Sequence, residues 1–384
     1  MSDVDGIQIR VPLVTRPAPT WLLPVLRLGV FVLAVAVIAA GVWHARPPHE
    51  MTIEVGPVGG SYYENAVKYR ELLAARGINL HIITNNNTLD IVNDVADVSV
   101  PIQVGFVAED LPAARDADVS MIGLVQLQPL FIFANAELGR RSVISDLRGR
   151  KIVTTPRKSA SASAALRIFE LMDITEENTS FTFMPLMDAV RELRAGKFDA
   201  AVFMLAPDNK LVHEMATDSG LHLVPFEEVH AIANQLPFLR PVVLPRGIYD
   251  IADAIPPNDT PLLAASVGVV VQKGLHPWLV YSLLEAIAKT HRGATQISDA
   301  GDFPTIRGSQ VEVDPLAAQW YKTGVPWIWQ DFPPAWASFL ACYEPEILAV
   351  IALGAFVVVG AFMADILGLL LCALASIGRR RGSG

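Results

Sequence analysis

"IEVGPVGGSYYENAVKYRELLAARG", Ile53 to Gly77, carries the reading of the fold. A short apolar strand runs into Gly56, Gly59 and Gly60, and the helix that follows closes at Gly77. Glycine at a strand-to-helix turn lets the backbone approach something closely, and the free N–H groups of a helix start suit an anion. No Gly-Lys-Ser/Thr follows Gly59-Gly60, and the three glycines lack the spacing of a dinucleotide fingerprint, so a nucleotide site is disfavoured. A solute site and a plain tight turn both remain open.

Working outward, "NLHIITN", "TLDIVNDVAD" and "IQVGFVAED" read as strand, helix and strand. The resulting βαβαβ order predicts a mostly parallel sheet in an α/β protein. "MIGLVQLQPLFIFAN", Met121 to Asn135, is apolar with no turn signal before its end, and "LLAASVGVVVQKG" is a second such run. Strands of this kind are long enough to cross from one lobe to another. Between them, "SDLRGRKIVTTPRKSASASAALRIFELMDIT" and "AVRELRAGKFDAAVFML" restart the strand–loop–helix logic. Two similar halves joined by two crossing strands build a clamshell with a cleft.

The chain has 384 residues, 52% of them apolar, and a mean hydropathy of +0.38. Its formal net charge of -9 argues against nucleic acid as a partner. The two cysteines, Cys342 and Cys372, sit too far apart in a late apolar run for a disulfide. The eight histidines are scattered, "HEM" at His213 lacks the second histidine of a zinc-protease helix, and no Gly-x-Ser-x-Gly elbow occurs. No enzyme, metal or cofactor is expected.

Two segments supply the excess hydropathy. Trp21 to Ala45 reads as an uncleaved anchor, with Arg10, Arg16 and Arg27 on its cytoplasmic flank. A cleaved signal peptide is the alternative, although bulky Trp43 stands where a small residue is wanted. Glu346 to Gly378, followed by Arg379, Arg380 and Arg381, reads as a second span. Both termini are then cytoplasmic, and the large domain faces the periplasm or cell exterior from a bacterial inner membrane. The expected division is residues 1–20 cytoplasmic, 21–45 first span and 46–50 linker. Residues 51–133 and 264–325 form one lobe, and 134–263 the other. Residues 326–345 are an aromatic juxtamembrane segment, 346–378 the second span and 379–384 a cytoplasmic tail.

Three strand-to-helix loops are rich in small polar residues: "GPVGGSYY", "TTPRKSASASAA" and "FMLAPDNK". Ser159, Ser161 and Ser163 sit where backbone N–H groups and hydroxyls hold a carboxylate, or where a serine simply caps a helix. "TNNNT", Thr84 to Thr88, offers either ligand contacts or turn formers.

Taken together, four stretches resemble the TAXI family of solute receptors of tripartite (TRAP) transporters, as a membrane-anchored member. They are "GPVGGSYYENA", "DLRGRKIVTTPRKSASASAALRIFELMDI", "FDAAVFMLAPDNKLV" and "VVLPRGIYD". "YKTGVPWIWQDFPPAWASF" is similar to the aromatic segment that leads into a C-terminal membrane helix in anchored relatives. The resemblance implies a type II periplasmic-binding-protein clamshell that captures a small, carboxylate-bearing solute and hands it to a TRAP permease subunit. By motif position it implies contacts from Gly60, Ser61 and Tyr62, from Asn85, from Ser159 and Ser161, and from Ala206 to Asp208, with Tyr249 near the rim. The family's Gly-Ser-Gly-Thr reads Lys158-Ser159-Ala160-Ser161 here, so that loop is expected to be reshaped. A sensory or assembly module built on the same clamshell is the alternative function.

Overall fold

In the computed structural model, which describes residues 22–108, 117–139 and 143–356 together with 359 and 363, Ile53–Gly77 is a strand, a turn and a helix. The chain divides into two compact units, residues 47–331 and the flanking segments before and after them.

The flanking unit opens with α1 (Leu22–His44), whose described apolar side chains face outward, among them Leu28, Phe31 and Leu33. The larger unit begins with β1 (Glu50–Val55), α2 (Ser61–Ala74), β2 (Asn79–Thr84), α3 (Ile91–Ala96) and β3 (Val104–Ala108). The long strand β4 (Val119–Asn135) follows, then β5 (Lys151–Thr154), α4 (Ala160–Leu171), β6 (Ser180–Phe183), α5 (Leu186–Arg194) and β7 (Ala200–Met204). After these come α6 (Lys210–Ala216), β8 (Leu221–Val224), α7 (Val229–Gln235), β9 (Leu239–Leu244) and the second long strand, β10 (Thr260–Gln272). The unit ends with α8 (Pro277–His291), α9 (Pro315–Thr323) and α10 (Trp327–Asp331).

The strands hydrogen-bond in the order β2-β1-β3-β10-β4-β7-β5-β6, with β8 on β4 and β9 on β10. Pairing is parallel among β1, β2 and β3, and again among β5, β6 and β7. The expectation of a mostly parallel sheet needs correction at its centre. β10 is antiparallel to β3, β4 and β9, and β4 is antiparallel to β7 and β8. A chain that crosses between halves on one strand and returns on its neighbour must run the two in opposite directions, so the mixture follows from the crossing itself.

Each half has its own apolar core. Ile53, Tyr69 and Phe106 pack with Leu283 and Ile287 of α8 in the first. Phe131 and Phe133 of β4 pack with Ile152, Phe169 and Phe203 in the second. β4 is buried along almost its whole length, which explains why it reads as one apolar run rather than an alternation.

In the flanking unit, Arg27–His44 is long and apolar enough to cross a membrane. α11 (Pro334–Cys342) packs on α1, where Gly41 admits the Phe339 ring. A further helix, Glu344–Phe356, continues from it after a 72° bend. Pro345 explains the break: it has no N–H to donate to the Ala341 carbonyl and its ring would clash with it, while a first-turn proline is tolerated in the helix it starts. The described residues therefore give no continuous helix to support the second span expected over 346–378, most of which lies outside them, as does Asp365.

Candidate functional site

Two helix starts meet where the halves face each other. At the first, Gly59 adopts φ +85°, which an L side chain rarely does, and Gly60 in extended conformation precedes α2. At the second, Ser159 caps α4, its Oγ accepting from the Ala162 N–H at 3.2 Å. Between them lies a cavity of about 50 Å3. Gly60, Ser61 and Tyr62 line it from one side, and Ser159 and Ser161 from the other.

Most of these groups already bond within the protein. The Ser61 Oγ accepts from the Ala206 N–H at 2.7 Å, and the Ser161 Oγ accepts from the Met204 N–H at 2.9 Å. The Ser159 Oγ also lies 2.5 Å from the Thr155 Oγ1. Further bonds tie the halves together around the cavity. The Ala160 N–H donates to the Thr88 Oγ1 at 2.9 Å, the Leu89 N–H to the Lys158 carbonyl at 3.0 Å, and the Asn209 Nδ2 to the Gly59 carbonyl at 3.0 Å. Lys158 Nζ lies 3.2 Å from Asp90 Oδ1, an exposed pair that adds little by itself.

Four expected contacts lie off the lining. The Asn85 Nδ2 donates to Glu54 Oε1 at 3.1 Å, and its neighbour Asn86 lines the cavity instead. Ala206 contributes its N–H to Ser61 as above, whereas Asp208 is exposed and off the lining. Tyr249 is buried, but its hydroxyl donates to the Pro207 carbonyl at 3.1 Å and it does not reach the cavity.

Of the groups with the most to say, sequence reasoning named Tyr62 but missed Gln128. Gln128, on β4, is 2% exposed, lines the cavity and leaves its Nε2 without a partner. The Tyr62 hydroxyl, at the same cavity, is equally unpaired. Burial raises the Tyr62 phenol well above its ordinary value, so it stays protonated and able to donate. A buried polar group without a partner costs about 1–3 kcal/mol, so two at one cavity mark a place built for something else. The signal was legible: Gln126 and Gln128 are the polar interruptions of "MIGLVQLQPLFIFAN".

Just behind the first helix start, Glu54 is 4% exposed with its Oε2 unpaired. Burial pushes its carboxyl up to about 7; the bond from Asn85 acts against this, while neighbouring Asp94 and Asp90 add to it. Among the described residues no lysine or arginine lines the cavity: Arg157 pairs with Glu176 and Lys158 with Asp90. Among the described residues no cluster of His, Cys, Asp and Glu is placed to hold a metal ion.

The model of the NMT1-like family matches residues 53–322. Solved structures with a similar chain path include remote ones. The aliphatic sulphonate binding protein SsuA from Escherichia coli shares 16% identity over 63% of this chain and 74% of that one, with a TM-score of 0.40. SsuA from Xanthomonas axonopodis pv. citri, bound to MOPS, shares 13% over 64% and 80%, with a TM-score of 0.41. The amino acid transporter substrate-binding protein AbpA from Streptococcus pneumoniae, bound to L-arginine, shares 12% over 63% and 88%, with a TM-score of 0.39.

Proposed function

Because the chain belongs to the NMT1-like family, we propose that it is an extracytoplasmic solute-binding protein, a type II clamshell closing on one small molecule. The observation that carries this reading is the pair of unpaired buried groups, Gln128 Nε2 and the Tyr62 hydroxyl, at the cavity between the two helix starts. Both can donate, as can helix-start N–H groups, so the fitting partner is an acceptor-rich head such as a carboxylate. Gly60, Ser61, Ser159 and Ser161 complete the pocket, and opening of the lobes frees the Ser61–Ala206 and Thr88–Ala160 bonds for exchange with solute. At about 50 Å3 the closed cavity is small, so the solute head enters as these bonds part. The lobes are residues 51–133 with 264–325, and 134–263, hinged on β4 and β10.

Within this reading the protein serves a TRAP-type TAXI system, delivering to a permease subunit without catalysing a reaction. α1 anchors it in a bacterial inner membrane, and residues 346–378 add a second pass that returns the C-terminus to the cytoplasm. The test is a thermal-shift and calorimetric screen of the full chain in lipid nanodiscs against small carboxylates, amino acids and sulfonates. A true solute at 100 times its Kd stabilises the protein by about 2.7 kcal/mol. Gln128→Ala should weaken that solute about 2- to 10-fold, since one hydrogen bond contributes about 0.5–1.5 kcal/mol. If no small anion shifts the transition, or if Gln128→Ala leaves the affinity unchanged, the cavity is not the solute site.

A further inference from the structure

On the opposite face of the crossing strands lies a larger groove. Gln128 lines the candidate solute cavity, whereas its neighbour Leu127 lines a cavity of about 810 Å3 behind it. Adjacent residues of a strand point to opposite faces, and the register shift at Val125 brings Leu124 to the same face as Leu127, so the two cavities are separated by the strand itself. Leu124, Phe303, Pro304 and Ile306 give the groove an apolar lining. A second cavity of about 670 Å3 adjoins it, sharing Phe303, Pro304 and Tyr321.

The wall is fixed in place. Leu124 and Thr305 exchange backbone hydrogen bonds at 2.7 and 2.9 Å, which pins the segment after α8 to β4. Arg240, from β9, reaches across to Gly308, where a Cβ would stand 3.5 Å from its Nη2. The Tyr321 ring is seated against Gly123, and its buried hydroxyl has no partner.

The charge on this groove is one-sided. Arg240, Arg307 and Lys322 all line it, and among the described residues no carboxylate lies within ion-pair distance of any of them. Asp302 is the one acidic lining residue, and its Oδ2 accepts from the Asp299 N–H at 2.9 Å. In a chain of net charge -9, three unpaired cations around an apolar groove are a local reversal of the overall sign. The neighbouring Arg292 sits over the Trp320 ring at 5.9 Å. Apolar floor, cationic rim and an unpaired hydroxyl together define one ligand chemistry.

We propose that this groove is a second binding site, for an amphipathic anion: an acid group on an apolar body. Arg240 and Arg307 hold the acid group, and Leu124, Leu127 and Phe303 take the body. The site straddles the hinge, because Arg240 stands on β9, whose Leu239 and Leu244 belong to the second core, while Leu124 and Phe303 belong to a cluster of the first half.

Naphthalene-2-sulfonate is a suitable probe, titrated calorimetrically into the full chain in zwitterionic nanodiscs, with empty nanodiscs subtracted. The proposal expects saturable binding that weakens with salt, and at least tenfold weaker binding of both the uncharged naphthalene-2-sulfonamide and inorganic sulfate. Arg240→Gln with Arg307→Gln should lose at least tenfold, while Arg240→Lys with Arg307→Lys keeps most of the affinity and reports an intact fold. Hydrogen exchange should show protection at residues 296–307 on probe binding. Equal binding of sulfonate and sulfonamide, indifference to the glutamine pair, or protection at 59–63 and 159–162 instead would each overturn it.

Discussion

Tyr62 and Tyr69 stand two turns apart on one face of α2, and they stack on the same ring, Phe106, at centroid distances of 5.1 and 5.8 Å. Both are buried, and burial raises both phenols above their ordinary value. Their hydroxyls part company. Tyr69 meets the His291 Nε2 at 2.7 Å, deep in the first core, whereas Tyr62 meets nothing. Burial, with Lys68 nearby, lowers His291 to about 3, so its ring is neutral and the pair is an uncharged one. The same helix thus carries a paired tyrosine hydroxyl at its core end and an unpaired one at its cavity end. The paired Tyr69 hydroxyl helps to hold the core, whereas the unpaired Tyr62, Gln128 and Glu54 groups gather at or just behind the candidate site.

The largest effect that could break this contrast is Tyr69→Ala. It removes a fully buried ring and strands His291, so chemical denaturation should show a loss of about 3–5 kcal/mol. A loss below about 1 kcal/mol would mean that the core end of α2 is no more essential than the cavity end.

Glu54→Gln comes next. A carboxyl raised from 4.5 to about 7 in the folded protein keeps its proton there longer than in the unfolded chain, so it lowers stability as pH rises from about 4.5 to 7. The variant should therefore be more stable than wild type at pH 8, by up to about 3 kcal/mol, with the difference vanishing below pH ~4.5. Denaturation midpoints at pH 4, 6 and 8 check this, and an unchanged midpoint at pH 8 would show that Glu54 is better solvated than its burial implies.

The sharpest test is also the smallest. Tyr69→Phe should cost about 1–3 kcal/mol by leaving the His291 nitrogen unpaired, while Tyr62→Phe should stabilise the protein, by up to about 1–3 kcal/mol, because it removes a buried hydroxyl that has no partner. If both variants cost the same, the Tyr62 hydroxyl has a partner after all and the contrast fails.

Much of this arrangement could be read from the residues. "TIEVG" and the helix expected from Tyr62 appear as β1 and α2, and the two long apolar runs are the crossing strands β4 and β10. Strands buried on both faces leave an unmistakable apolar run. Their pairing left no such mark. That β10 lies between β3 and β4 is a non-local fact, which no window of sequence contains. The site was legible to the level of the loop but not of the atom. Ser61, Ser159 and Ser161 line the cavity, yet their hydroxyls turn to nearby groups of the protein. Asn85 and Asn86 differ by one residue, and one step along the chain sends the first to Glu54 and the second to the cavity. Gln128 was visible as a polar interruption, but its meaning depends on having no partner, which only three dimensions reveal.

The place of β10 in the sheet also governs how the chain must be made. β3 and β4 are both complete when residue 135 has been synthesised, but the strand that fills the gap between them ends only at Gln272. At ~5–20 residues per second, about 7–27 seconds of translation separate the two events. Throughout that interval two apolar strands present open edges with no native partner in existence, and α8, which closes the first core, is later still. The nascent chain therefore cannot finish its first half early and must be kept from pairing wrongly until its last quarter emerges.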